Sequence, residues 1–234
     1  MKAVILAGGF GKRLRPYTET TPKPLLPISG KPIIEWQIRW LKHYGFRDII
    51  ICAGYLKEKI IEEVGSGRKY GVRIGYVIED EPLGTGGAVK NAGHILEGDE
   101  EFIVVNGDIL TDLDPNTLLE TLSEKDVGAI ALTPLPSPYG VIRFDPQTLK
   151  ILSFVEKPRI KEYWINAGVY AFRRDIFGYL PDKGDIERTA LPRLAEEGRL
   201  SATLFEESFW MSIDSHKDLE EAGKRVPSLG IFSE

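Results

Sequence analysis

LAGGFGKRLRP at residues 6–16, continued by TPKP at residues 21–24, directly follows an apolar strand candidate, Ala3 to Ala7. The spacing predicts a strand that runs into a glycine loop carrying cations. Such a loop presents bare backbone N–H groups and positive charge to a polyphosphate. Between Lys12 and Lys31 stand five basic residues (Lys12, Arg13, Arg15, Lys23 and Lys31) against one acid, Glu19. The chain carries a formal charge of −5, so +4 in this segment leaves −9 for the remainder. One basic pocket on an acidic chain suits a small anionic ligand rather than a long polyanion.

Two well-known phosphate-binding patterns almost fit this loop, and both fail. G-x-x-x-x-G-K-[ST] would need glycine at Leu6 and Ser or Thr at Arg13. G-x-G-x-x-G begins well at Gly9 and Gly11 but meets Leu14 in place of the last glycine. A plain strand-to-helix turn would account for one or two glycines. It would not account for Lys12 and Arg13 beside them, nor for Lys23 between Pro22 and Pro24.

At 234 residues, 42% hydrophobic and 28% charged, the chain is long enough for one α/β domain with a sizeable core. The acidic balance and the absence of basic runs argue against nucleic acid as a partner. The one cysteine, Cys52, sits among Ile49, Ile50 and Ile51 and reads as a buried thiol in a reducing compartment. Lys2 and the apolar run after it resemble a signal peptide only as far as Gly8-Gly9, and no window reaches membrane-spanning length. The expectation is a cytoplasmic protein with no membrane partner, and a homo-oligomer is left open.

The first half alternates strand and helix. Pro32 to Tyr44 reads as a helix, with Ile34, Ile38 and Leu41 on one face and Gly45 as its stop. Asp48 to Ala53 is a buried strand, Leu56 to Val64 a short helix, and Val72 to Ile78 a strand. The glycine turn Gly84-Thr-Gly-Gly87 leads into a helix through Leu96, and Phe102 to Val105 is an apolar strand ending in Asn106-Gly-Asp108. This alternation implies right-handed βαβ units and a mostly parallel sheet. Later come a helix from Asp114-Pro115 to about Glu124 and a strand from Val127 to Thr133. Strand-like pieces follow at 139–144, 151–155 and 168–172, then helices at about 187–197 and 217–225.

The run LAGGFGKRLRPYTETTPKPLLPISGKP resembles the signature of the sugar-phosphate nucleotidyltransferases, which join a nucleoside triphosphate to a sugar 1-phosphate. EPLGTGGA at 81–88, NGD at 106–108, YGVI at 139–142, EKP at 156–158, NAGVY at 166–170 and SID at 212–214 match that family in order. The resemblance spans almost the whole chain. It implies an α/β fold, a Rossmann-like three-layer α/β/α sandwich with a mixed, mostly parallel central sheet and β-rich additions in the second half. No linker, low-complexity tract or internal repeat interrupts the chain, and it ends soon after the helix at 217–225, so one domain over residues 1–234 is expected, without the C-terminal hexapeptide β-helix of many relatives.

The family reaction is in-line attack of a sugar phosphate oxygen on the α-phosphorus, with pyrophosphate leaving, so catalysis should be mostly charge neutralisation and positioning. By resemblance, the nucleotide meets Leu6, Ala7, Gly8, Gly9, Gly11, Lys12, Arg13, Lys23, Gly84 and Thr85. Arg13 holds the β- and γ-phosphates with its planar fork, and Lys23 meets the α-phosphate where charge builds up. Family members often carry Thr where this chain has Lys12, so that extra cation has no assigned role and reads equally as a solvated lysine.

Asp108 and Asp214 resemble the family's Mg²⁺ pair, and Arg13, Lys23 and Asp108 its catalytic set. A hard cation takes one or two carboxylates plus substrate phosphates. NGD alone would suit a hairpin, and Asp214 alone a helix cap. Ser215 with Asp218 makes the better capping box, which frees Asp214. Sugar-phosphate recognition falls by resemblance to Tyr139, Gly140, Glu156, Lys157, Asn166 and Gly168. Standing alone, Glu156 and Lys157 would be an ordinary exposed pair.

PLGTGG resembles guanylyltransferases acting on mannose 1-phosphate or a manno-heptose 1-phosphate. The family's thymidylyltransferases usually carry Gln where this chain has Pro24. GTP with mannose 1-phosphate is therefore the expected pair, with UTP or dTTP and glucose 1-phosphate, or GTP and a manno-heptose 1-phosphate, as the enzymatic rivals. A catalytically silent nucleotide-sugar-binding subunit is the rival of another class, and the presence of Arg13, Lys23 and both aspartates speaks against it. An NAD-dependent oxidoreductase is disfavoured by the failed dinucleotide pattern. His43, His94 and His216 show no metal-ligand spacing among themselves or with Cys52.

Overall fold

The structure, a computed structural model, describes residues 1–232. The opening strand β1 (Lys2–Ala7) is followed by the glycine loop and the two-residue strands β2 (Pro27–Ile28) and β3 (Lys31–Pro32). Then come α1 (Ile33–His43), β4 (Asp48–Ala53), α2 (Lys57–Val64), β5 (Arg73–Ile78) and α3 (Gly84–Asn91). β6 (Glu101–Asn106), β7 (Ile109–Thr111), α4 (Asn116–Thr121) and β8 (Gly128–Pro136) complete the first half. The second half adds the hairpin β9 (Val141–Phe144) and β10 (Ile151–Val155), then β11 (Arg159–Arg173) and α5 (Ala190–Glu196). β12 (Leu200–Leu204), β13 (Trp210–Ser212) and α6 (His216–Arg225) close it.

Seven strands form one sheet in the order β12-β8-β11-β6-β1-β4-β5, and every strand but β11 runs the same way. The mixed, mostly parallel sheet expected above is therefore present. Side chains alternate across it. Ala3, Ile5 and Ala7 of β1 face α1, where Ile34, Ile38 and Leu41 meet them, and α2 adds Ile60 and Val64. Val4 faces the other way, toward Val89 and Ala92 near α3 and Leu191 and Leu194 of α5. Each of these large apolar side chains contributes about 1.5–3 kcal/mol by leaving water. Two helical layers on one sheet make the α/β/α sandwich.

A third apolar cluster lies at the end of the sheet where the glycine loop sits. Leu14, Leu26, Ile28, Ile33, Leu110, Ile213, Ala222 and Val226 pack there. This satellite core welds the loop after β1 to α6, about two hundred residues later in the chain.

Several element bounds differ from the expectations. The helix expected through Leu96 ends at Asn91, and a 3₁₀ turn covers Ala92–His94. The helix expected from Asp114 spans only Asn116–Thr121. The piece expected at 168–172 is the last third of a fifteen-residue strand, β11, whose mostly exposed first half, RIKEYWI, pairs with β8 and mixes charged and apolar residues without a clean alternation. β7, β12 and β13 were not expected, because strands of three to five residues are too short to show a period. Cys52 is fully buried, and His43, His94 and His216 are exposed. Among the described residues no helix is long and apolar enough to cross a membrane.

Candidate active site

The strand order reverses beside β1, which pairs with β4 on one side and β6 on the other. In open α/β sheets a crevice forms outside the carboxyl ends of the strands at that point. Parallel register sets Leu6 beside Asn106 and Ala7 beside Ala53, so the glycine loop, Asn106-Gly-Asp108 and Glu79 all emerge at one edge. A cavity of about 400 Å³ opens there. Gly107 makes the approach of β1 and β6 feasible, since a Cβ on it would collide with the Leu6 carbonyl oxygen.

Gly11 sits at φ +60, the left-handed region, and a Cβ there would also press on Thr18 and Lys23. From that turn Lys12–Leu14 makes a single 3₁₀ turn whose Leu14 plugs the satellite core. With Leu14 inside, Arg13 is forced outward along the cavity rim. Among the described residues, the N–H groups of Gly8, Gly9, Phe10 and Gly11 donate to no other protein group. Unspent amides at a cationic loop are what an anion needs.

Lys23, between Pro22 and Pro24, both buried, opens the third 3₁₀ turn of the loop, after Lys12–Leu14 and Tyr17–Glu19. Its Nζ donates to Asp108 Oδ2 at 2.7 Å and to Asp214 Oδ1 at 3.3 Å. Arg13 Nη2 lies 2.8 Å from the same Asp214 oxygen. The capping box of α6 is made by Ser215 and Asp218, which leaves the Asp214 side chain free to turn into the cavity. There Ser212 Oγ donates to Asp214 Oδ2 at 2.9 Å. Burial works to raise the Asp214 pKa, and is outweighed by the Ser212 hydrogen bond and the Lys23 and Arg13 charges, which hold it below the ordinary carboxylate range.

The donor set suits a hard divalent cation. Two carboxylates converge on one point, and Lys23 Nζ marks a position from which a cation can touch both. Among the described residues no three His, Cys, Asp or Glu side chains cluster, so further ligands would have to come from phosphates and water.

All ten residues expected around the nucleotide line this cavity, together with Asp108 and Asp214. Thr85 differs from expectation in one respect. Its hydroxyl donates to Glu187 Oε2 at 2.6 Å and accepts the Ile186 amide at 2.8 Å, so it is already engaged. The first-turn amides of Gly86 and Gly87 are likewise spent on the Gly184 carbonyl. This helix end packs against residues 181–187 and does not offer those donors to phosphate.

The six residues expected around the sugar phosphate lie outside that cavity lining. Tyr139 and Gly140 enter the β9–β10 hairpin, and Glu156 and Lys157 leave it. The pairing of Val141 with Val155 brings the four together at its base. A Cβ on Gly140 would touch Glu156 Oε2 at 3.0 Å, and Lys157 Nζ lies 3.5 Å from Glu156 Oε1. Asn166 and Gly168 form a bulge in β11, Gly168 at φ +70. A Cβ on Gly168 would press on the Asn106 side chain, which does line the cavity.

Glu79 and Asp185 line the cavity as well, and neither belongs to a motif named above, while Asn106 of NGD lines it beside them. Glu79 is only 6% exposed and lies against Gly8. Leu83 N–H donates to its Oε2 at 3.2 Å, while Oε1 has no partner among the described residues. Burial pushes its pKa up, opposed by the Leu83 hydrogen bond. The available signal was positional: an acid directly after a parallel strand, at the same edge as Gly8.

Residues 2–228 match the sequence profile described as nucleotidyl transferase. A mannose-1-phosphate guanyltransferase of Yarrowia lipolytica is 39% identical over 226 residues, covering 93% of this chain and 62% of that protein. A UTP–glucose-1-phosphate uridylyltransferase of Synechocystis is 34% identical over 251 residues, covering 99% of this chain and 64% of that protein. Among solved structures, HddC from Yersinia pseudotuberculosis complexed with GMP-PN superposes with a TM-score of 0.77 at 32% identity, covering 96% of this chain and 98% of that one. The chain spans less than two thirds of the length of the curated relatives it first matches.

Proposed function

The chain belongs to the nucleotidyl transferase family, and from that premise we propose that it transfers a nucleoside monophosphate from GTP to mannose 1-phosphate. The observation that carries this is the Arg13–Asp214–Lys23–Asp108 array above the unspent amides of the glycine loop. An oxygen of the sugar phosphate attacks the α-phosphorus in line. The new P–O bond forms as the bond to the β-phosphate oxygen breaks, and pyrophosphate carries off the electron pair.

In this proposal Gly8, Gly9 and Gly11 donate to phosphate oxygens, and Arg13 grips the β- and γ-phosphates and the departing pyrophosphate. Lys23, held between two prolines, turns from its carboxylates to the α-phosphate as charge gathers there. Asp108 and Asp214 would then hold a divalent cation, Mg²⁺ by charge and donor type, whose chemistry is neutralisation of the two phosphates brought together. Glu156 and Lys157 at the hairpin base, with Tyr139, Gly140, Asn166 and Gly168, take the sugar phosphate.

Glu79 supports guanine as the base. Its free carboxylate oxygen only accepts, and guanine offers the adjacent donors N1–H and N2–H₂. The guanyltransferase relatives and the GMP-PN complex of HddC point the same way. The Synechocystis relative makes UTP with glucose 1-phosphate the pair to compare. The test is pyrophosphate release from five nucleoside triphosphates against mannose, glucose, N-acetylglucosamine and heptose 1-phosphates with Mg²⁺. GTP with mannose 1-phosphate should be fastest, and release in no well from folded protein refutes the proposal.

A further inference from the structure

One set of hydrogen bonds runs between the nucleotide wall and the Asn166 bulge through two residues, Glu187 and Tyr170, that have no role in the chemistry above. At its centre is Glu187. Its Oε2 accepts the Thr85 hydroxyl at 2.6 Å, and its Oε1 accepts the Tyr170 phenol at 3.1 Å. Thr85 lines the cavity, and its oxygen also accepts the Ile186 amide. Tyr170 is fully buried in β11. The Tyr170 oxygen accepts Asn166 Nδ2 at 2.8 Å, and Asn166 Oδ1 accepts the Gly168 amide at 2.8 Å.

The polarity of this chain of bonds is dictated at Glu187. A carboxylate only accepts, so both hydroxyls must aim their protons at it. With its proton committed, the Tyr170 oxygen offers lone pairs alone, and the Asn166 amide has to turn its NH₂ inward. Gly168 N–H demands the same orientation, because only Oδ1 can accept it. Asn166 itself is exposed, so the second N–H of its amide is left for a ligand oxygen.

We propose that Glu187 is a positioning residue that fixes the donor orientation of Asn166 toward an oxygen of the sugar 1-phosphate, in register with the nucleotide wall at Thr85. The inference rests on the nucleotidyltransferase proposal and on Asn166 meeting the sugar phosphate. Glutamine at this position keeps the size but exchanges one acceptor for a donor. One hydroxyl then loses its acceptor. When that hydroxyl is Tyr170, its proton turns on Asn166 and sets the amide against Gly168 N–H.

The experiment measures both Michaelis constants, the melting temperature and pyrophosphate release for wild type, Glu187→Gln, Tyr170→Phe and the double variant. Glu187→Gln should raise KM for the sugar 1-phosphate about tenfold, the effect of one misdirected hydrogen bond, and move KM for the nucleotide less than about twofold. Tyr170→Phe leaves no phenol proton to turn on Asn166, so Gly168 N–H keeps the amide oriented; its sugar KM should stay within about threefold of wild type, and the double variant should return to that level. A sugar KM within about twofold of wild type in Glu187→Gln overturns the inference. So do equal rises in both constants, or effects that multiply in the double variant. If Glu187→Gln does not fold, Glu187→Ala, in which the phenol proton likewise loses its acceptor, is read by the same limits on the sugar KM. Wild-type protein that releases no pyrophosphate with any pair removes the proposed function and this inference together, whereas wild-type turnover with an unmoved sugar KM removes only the inference.

Discussion

On the proposal that GTP is the substrate, glutamine in place of Glu79 should erase the discrimination for guanine. The Glu79 carboxylate is 6% exposed and lines the cavity, with Oε2 tied to Leu83 N–H and Oε1 without a partner among the described residues. Two donors side by side, N1–H and N2–H₂, are what such an acceptor selects, and guanine alone among the five common bases carries them. Uracil and thymine present one N–H flanked by carbonyls. A hydrogen bond to a charged acceptor contributes about 1.5–3 kcal/mol, a factor of roughly 10 to 150. The amide keeps one acceptor and turns one donor toward the base, so a guanine donor meets another donor. kcat/KM for GTP should therefore fall about 10- to 150-fold. UTP and dTTP, whose carbonyl accepts the new N–H, should hold steady or improve. Pyrophosphate release with each triphosphate at saturating sugar phosphate gives the ratio directly, with a thermal melt to confirm folding. A GTP-to-UTP ratio within about threefold of wild type would refute the assignment of Glu79 to the base.

Asp108→Asn should remove most turnover while GTP still raises the melting temperature, since the glycine amides and Arg13 remain. Unchanged turnover would mean that Asp108 holds no cation. Gly107→Ala forces a Cβ into the Leu6 carbonyl at the β1–β6 junction. The cost should be about 1–3 kcal/mol, a fall of roughly 2–12 °C in Tm, and an unshifted melt would show that the junction relaxes freely. Asp126, 6% exposed, accepts from Ser123 N–H and Ser201 Oγ, and these bonds outweigh burial and hold its pKa below the ordinary value. Its contribution is present above about pH 4 and lost as pH falls through the lowered folded value. Denaturant titrations in acid should show that loss in the wild type, and a flatter profile in Asp126→Asn.

The half of the cavity expected to meet the nucleotide was legible in the residues because its pattern is local. One strand, one glycine loop and one lysine between prolines lie within the first 24 residues, and each states its conformation through residue type. The capping box of α6 was legible in the same way, as two residues three apart. Glu79 was not, since nothing in its own neighbourhood distinguishes it from any acid at the end of a strand. The engaged hydroxyl of Thr85 was equally hidden, because its partners Ile186 and Glu187 lie about one hundred residues away. The short strands β7, β12 and β13 draw their definition from neighbours rather than from a period of their own.

Residue order by itself determined the alternation of strands and helices, the parallel sheet that follows from it, and the cationic glycine loop, since turn chemistry and apolar periodicity act over a few residues. Only the tertiary structure decided what stands around that loop. Register set Leu6 beside Asn106, a satellite core around Leu14 carried Asp214 to Arg13 and Lys23, and the parallel alignment of Ala7, Ala53 and Ile78 left Glu79 facing Gly8. These are encounters between groups 70 to 200 residues apart, settled by which apolar faces bury together, and no local preference encodes them.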